Sequence, residues 1–422
     1  MTAERRSVPA PGAPAGRRGA GAGALVVLSL SLAMATGSTT TYSLGALSPF
    51  LVQDLGLTAA INGLLLSGLY VVAASSSGAI GHLTDRIDPA WIIAGGAACS
   101  LVACVVFALA PNLVVLGVAV LFAGLAMAAS NPGSNGVVAR FVAQDWRAYV
   151  TGLKQSGATG AGLYIAALMP PVAVALGWRP ASLLAALIPI ASLGAVLLSR
   201  RRRPRLPDEE IASAAPGPHR RRRWLVWLTV YALFLGVATG ACNGFYVLYA
   251  SQRLHFTAVA AGLVFALLAI SSVLTRVLWA QLANRGIPSG VLLAAVGVVG
   301  ALSALLCLAA PILGSWLIWI AAAAAGASIL GWNALGMVTI MRKVRPRAVG
   351  RSSAQMLQGF FAGLAIGPLV FGLLVEVGGY PLGWAFQLAV MLIAIGIAIV
   401  FGRVLGAAEP APLALEPEGP DA

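Results

Sequence analysis

Apolar stretches of about 20 to 28 residues recur twelve times along the chain, starting near residues 24, 60, 91, 113, 148, 180, 224, 257, 289, 313, 348 and 381. An α-helix rises about 1.5 Å per residue, so roughly 20 apolar residues cross the hydrocarbon core of a bilayer, about 30 Å thick. A chain that is 59% hydrophobic and only 9% charged has too little polar surface for a water-soluble domain. The spacing therefore predicts an all-α polytopic membrane protein with twelve transmembrane helices.

An even number of spans puts both termini on one side. If that side is the cytoplasm, it receives 23 of the 27 basic residues, including nine arginines between Arg200 and Arg223, while only Arg179 and Arg253 fall outside. Positive charge collects on the cytoplasmic side of membrane proteins, so the expected orientation has both termini in the cytoplasm, in a plasma or bacterial inner membrane. The formal charge of +14 is thus a topology signal and not a nucleic-acid footprint. Residues 1–23 and 406–422 read as disordered cytoplasmic tails. Residues 24–199 and 224–405 read as two six-helix bundles, joined by the Arg- and Pro-rich cytoplasmic linker 200–223. The first run is too long for a signal peptide, and another span follows at once.

Catalytic signatures are missing from the sequence. Cys99, Cys104, Cys242 and Cys307 sit inside apolar runs without paired spacing, and His82, His219 and His255 fall in loops or at span ends. Intramembrane carboxylate pairs, Ser-His partnerships and phosphate loops are lacking too, so no enzyme, metal or cofactor is expected. Trp91, Trp178, Trp224, Trp227 and Trp316 lie near span ends, where indoles anchor helices in the interface. Trp332 lies well inside span ten instead.

The halves repeat. Asn131 and Asn333 lie 202 residues apart, as do Gly157 and Gly359, and the polar break Gly81-His82-Leu83-Thr84-Asp85-Arg86 is nearly repeated at 280–285, ending in Arg285. With twelve spans and a long linker after the sixth, Gly81, Asp85 and Arg86 make the chain resemble the major facilitator superfamily over its membrane-embedded length. The resemblance implies two pseudo-symmetric bundles rocking about a midplane site. It also implies a cytoplasmic gate formed by Gly81, Asp85, Arg86 and their counterpart Arg285, whose charge contacts help hold the outward-facing state. The chain departs from the family pattern at Ile87, Asp88, Pro89 and Ala90. Asn131-Pro132-Gly133-Ser134-Asn135 and Gly152-Leu153-Lys154-Gln155-Ser156-Gly157 resemble the branch containing cyanate and nitroimidazole transporters.

Lys154 is one of only two lysines against 25 arginines, and it falls about 9 Å into span five. A charge deep in a bilayer helix costs about 2.5 to 3.5 kcal/mol, which either a ligand or snorkelling to the interface must offset. Polar residues at helical spacing complete a candidate cavity. These are Ser38, Thr41 and Tyr42 in span one, Asn131 and Asn135 in span four, and Gln155 beside Lys154. Thr239, Asn243 and Tyr246 follow in span seven, Asn333 in span ten, and Gln355 with Gln358 in span eleven. Each pair alone fits interhelical hydrogen bonding as well as ligand contact. Arg276, close to the end of span eight, reads as snorkelling or gate packing. Gly157, Gly160, Gly162, Gly359, Gly363 and Gly367 read as helix-packing positions.

Of 13 acidic residues, only Glu376 falls near a membrane region, so a midplane proton carrier is lacking. A small organic anion or neutral polar solute is therefore the expected substrate of a monomeric transporter, with a coupling ion left open. The alternatives are a proton-coupled multidrug exporter and a non-transporting receptor or scaffold.

Overall fold

The computed structural model describes residues 17–142, 144–200, 223–344 and 346–406. The expected linker and most of both expected tails lie outside the described residues. Helix α1 spans Arg17–Leu55, α2 Ala59–Arg86, α3 Pro89–Leu109, α4 Leu113–Phe141, α5 Gln144–Leu176 and α6 Trp178–Arg200, the last with a 3₁₀ turn at Leu184–Ala186. The second half runs α7 Arg223–Gln252, α8 Ala258–Asn284, α9 Ser289–Leu313 and α10 Leu317–Lys343. A continuous helical stretch, Pro346–Gly406, follows.

That last stretch is two spans. Its 61 residues would measure about 90 Å, three times the hydrocarbon thickness. Gly379 interrupts it at φ 72°, ψ −179°, a backbone conformation that essentially only glycine adopts, and the chain turns back there. Residues 346–378 are therefore α11 and 380–406 are α12, which gives twelve membrane helices.

Local chemistry sets most span ends. The side chains of Thr58, Asp88, Asn112 and Thr257 each accept a hydrogen bond from a backbone amide in the first turn of the following helix. Asp88 and Pro89, where the chain departs from the family pattern, are thus the N-cap and first residue of α3. Asp88 also pairs with Arg200 at 3.0 Å, tying α3 to the end of α6. Three expectations need correction. Helix α1 begins at Arg17, inside the expected tail, because each residue added to an already nucleated helix gains a backbone hydrogen bond, which offsets the poor helix propensity of the glycines there. Span ten begins at Leu317 rather than 313, since α9 runs on to Leu313 and turns at Gly314. Trp178 and Trp224 are packed inside rather than anchored at the interface, the Trp178 indole donating to Asp54 at 2.6 Å.

Within each half, α1 packs on α5 and α7 on α11. Between the halves, α2 meets α11, α5 meets α8 and α1 meets α7. On the face away from the termini these seams are tight. Asn62 Nδ2 donates to the Gly244 carbonyl at 2.8 Å, the Leu369 amide to Ser67 Oγ at 3.0 Å, and the Ala60 amide to Glu376 Oε2 at 3.1 Å. Glu376 thereby places negative charge at the positive end of α2, across the interface. Toward the termini the halves part, and polar residues well inside their spans are exposed, among them Ser75, Asn135 and Gln358. The molecule is closed on the far face and open on the termini face.

Candidate functional site

Lys154 lies ten residues into α5, about 15 Å from its termini-side end, and five residues past Tyr149, where the membrane-length part of the helix begins. Its side chain is fully buried, so it does not snorkel. The ammonium donates to Ser134 Oγ at 2.7 Å and to Asn135 Oδ1 at 2.5 Å, both from α4. The Ser134 hydroxyl in turn donates to the Ser130 carbonyl at 2.6 Å. An ammonium carries three N–H donors, and no partner for the third is found among the described residues. Asn135 is exposed, so the lysine sits one residue behind a polar surface.

Asn131 lies one turn before Asn135, and its Oδ1 is buried without a partner; its repeat-related counterpart Asn333 shows the same orphaned oxygen. Buried amide oxygens are seldom left unpaired, and a symmetric pair of them marks positions where a ligand or water completes the bonding. Toward the far face, Thr41 Oγ1 and Asn243 Oδ1 are buried and in no well-formed hydrogen bond, with the Tyr70 hydroxyl of α2 as a polar neighbour to both. Tyr42 stands within electrostatic reach of Tyr70 and of the Arg276 guanidinium, its ring 5.8 Å from that of Phe265.

Other expected site residues are placed apart. Tyr246 points into the second bundle, where its hydroxyl lies 2.6 Å from Ser303 Oγ and donates to the Ala321 carbonyl at 3.2 Å; this corrects its reading as a cavity residue, since its bonding capacity is consumed by α9 and α10. Thr239 donates to the carbonyls of Leu235 and Ile329. Gln355 is half-buried and Gln358 exposed on α11. Gln155 joins the site through its backbone carbonyl, which accepts from Arg276 across the seam between the halves at 3.4 Å.

Arg276 is the residue the sequence reading undervalued. It stands eight positions before the last residue of α8, about 12 Å in, a depth of the same order as that of Lys154, and its guanidinium reaches the Gln155 carbonyl rather than the interface. Depth was the available signal; Tyr70 carried none, and Ser134 only its place in the Asn131 to Asn135 motif, both being ordinary helix residues until α1, α7 and α5 pack on them.

At the termini side, Gly81 is half-buried, and Arg86 and Arg285 are exposed at the ends of α2 and α8. The Asp85 side chain lies outside the described residues. Arg140 of α4 donates to the Thr84 carbonyl at 2.8 Å, and Arg342 of α10, 202 residues on, donates to the Ala283 carbonyl at 2.7 Å. Each arginine thus satisfies terminal carbonyls of the α2 or α8 helix from the same place in its own half.

Residues 28–358 match the family described as the Major Facilitator Superfamily. Among solved structures, the chain is similar to a bacterial homologue of the human lysosomal transporter Spinster, in an inward-facing and unoccupied conformation. The two are 15% identical with a TM-score of 0.72, and 95% of this chain and 100% of that one are covered. It is also similar to a mutant of the nucleoside transporter NupG, at 16% identity, a TM-score of 0.66, and coverage of 91% and 100%. No curated protein sequence matches the chain.

Proposed function

The chain belongs to the major facilitator superfamily, and on that premise we propose that it carries a small organic anion or a neutral polar solute across a cell membrane by alternating access. The anionic reading comes first. It is carried by one observation: Lys154 is buried and Arg276 half-buried, both well inside their spans, and neither has a carboxylate partner among the described residues. Unneutralised cations in a low-dielectric interior favour an anionic guest. Lys154 supplies charge, Asn131, Asn135, Asn333, Thr41 and Asn243 supply hydrogen bonds, and Tyr42 walls the solute. Gln155, Gln355 and Gln358 line the approach from the open face. Gly81, Asp85, Arg86 and Arg285 form the gate that closes that face.

Counterflow into proteoliposomes tests this reading, with labelled acetate, benzoate and oxalate set against uridine and the cationic dye ethidium. Saturable accumulation of a carboxylate is expected, and Asp85→Asn should slow it without changing affinity, because the gate acts on the conformational equilibrium. Ethidium as the sole transported species, driven by a pH gradient, would instead establish the multidrug-export alternative.

Both termini are placed in the cytoplasm, so that the open cleft faces inward; the arginine distribution supports this. Gln53 and His82 are exposed at opposite ends of the molecule. In intact cells an impermeant maleimide should label Gln53→Cys and spare His82→Cys. Labelling of His82→Cys alone would invert the orientation.

A further inference from the structure

A guanidinium inside a membrane helix needs stronger partners than Arg276 has. Its Nη1 donates to the Gln155 carbonyl at 3.4 Å and its Nη2 to the Leu330 carbonyl at 3.2 Å, both at or beyond the long end of the hydrogen-bond range. Nε is buried with no partner among the described residues. The ion pairs among the described residues, Arg179 with Asp54 and Arg200 with Asp88, lie elsewhere.

The wall opposite Arg276 is irregular. Helix α10 is wound as a π-turn over Gly326–Leu330, the one such turn among the described residues, and π-turns concentrate at functional sites. Helix α8 grips it there: Trp279 Nε1 donates to the Ala327 carbonyl at 2.7 Å, and Thr275 Oγ1 lies 2.8 Å from where a Cβ on Gly331 would stand. The irregular turn therefore holds the Leu330 carbonyl against the guanidinium, while the Nε edge is left unused.

We propose that Arg276 recognises a carboxylate on the transported solute through its Nε and Nη edge, and that the carbonyls of Gln155 and Leu330 hold the guanidinium only while the site is empty. The proposal rests on the anionic reading above and narrows it to a planar carboxylate. Guanidinium presents two parallel N–H groups that match the two carboxylate oxygens, and such charge-assisted pairs are roughly twice as strong as neutral hydrogen bonds. Tyr42, within electrostatic reach of the guanidinium, flanks the same space. Gln155 belongs to the other half of the molecule, so a carboxylate that draws Arg276 away also releases the hydrogen bond that joins α8 to α5 on the open side. Substrate loading and rearrangement of the halves are thereby linked through one side chain.

The test measures thermal midpoints of the purified full chain against rising acetate, benzoate or oxalate, with potassium chloride at equal ionic strength as the control. At least one of the three should stabilise the wild type saturably. Arg276→Lys, which keeps the charge and loses the fork, should then weaken apparent affinity at least tenfold, and Arg276→Gln should abolish it. Wild-type affinity in both variants would overturn the inference while leaving the anionic reading standing. No stabilisation of the wild type by any of the three would also overturn it, and nitrate and cyanate in the same assay would then decide the broader reading. If the variants do not fold, phenylglyoxal modification of the wild type reads the same contact by mass spectrometry. The carboxylate should slow modification of Arg276 at least fivefold, and an unchanged rate refutes the assignment.

Discussion

Lys154→Met is expected to leave the protein folded and at least as heat-stable as the wild type while weakening carboxylate binding tenfold or more, about 1.4 kcal/mol. The repeat supplies the reason for choosing methionine. The residue 202 positions on is Met356, which is fully buried at the matching place on α11, so a side chain of this length and shape is accommodated by the fold. The substitution removes a buried charge whose desolvation works against stability. It strands little, because Asn135 is exposed and finds water, and Ser134 keeps its bond to the Ser130 carbonyl. A lysine present for structure alone would behave in the opposite way, with a lowered thermal midpoint and normal uptake. Paired melting and counterflow measurements on the same preparation separate the two.

Adding one methyl group at Gly157 or Gly363 should destabilise the protein by about 1 to 3 kcal/mol each and lower the yield of monodisperse protein. A Cβ on Gly157 would fall on the Ser31 carbonyl of α1, and one on Gly363 on the Leu233 carbonyl of α7. Both obstacles are helix backbone, which moves only if whole helices separate. Gly160→Ala is the internal control. Nothing lies within 4 Å of its added methyl, and replacing glycine by alanine inside a helix favours the fold by roughly 0.5 to 1 kcal/mol. Equal behaviour of Gly157→Ala and Gly160→Ala in a thermal melt would show that the close approach of α1 and α5 is not what holds the first bundle together.

That contrast shows how far the sequence reaches. Gly157, Gly160 and Gly162 are indistinguishable as a small-residue pattern, yet Gly157 meets backbone, Gly162 faces the Tyr42 ring and Gly160 faces open space. Spacing says that a helix has a small-residue face. Which member of that face touches a neighbour depends on the rotation of α5 against α1, which is a property of the pair. The same limit explains the site. Thr239, Asn243 and Tyr246 share one face of α7, but the helix stands among several neighbours, so Tyr246 is spent on Ser303 in α9 while Asn243 meets Tyr70 of α2.

What the sequence determined by itself was everything governed by the bilayer as solvent. Unpaired backbone groups are so costly in hydrocarbon that apolar runs of about 20 residues must be helices, and their number and the duplicated motifs followed directly. Charged residues inside those runs were equally legible, because water is absent to hide them; Lys154 stood out this way, and Arg276 would have by the same measure of depth. The tertiary structure alone decided what those charges meet. A lysine that snorkels and a lysine that donates to Ser134 and Asn135 are the same letter in the same run. Only the packing of α4 on α5, set by contacts far apart in sequence, separates them. The open and closed faces are likewise invisible in the sequence, since which end of each seam is in contact depends on the packing of residues far apart along the chain.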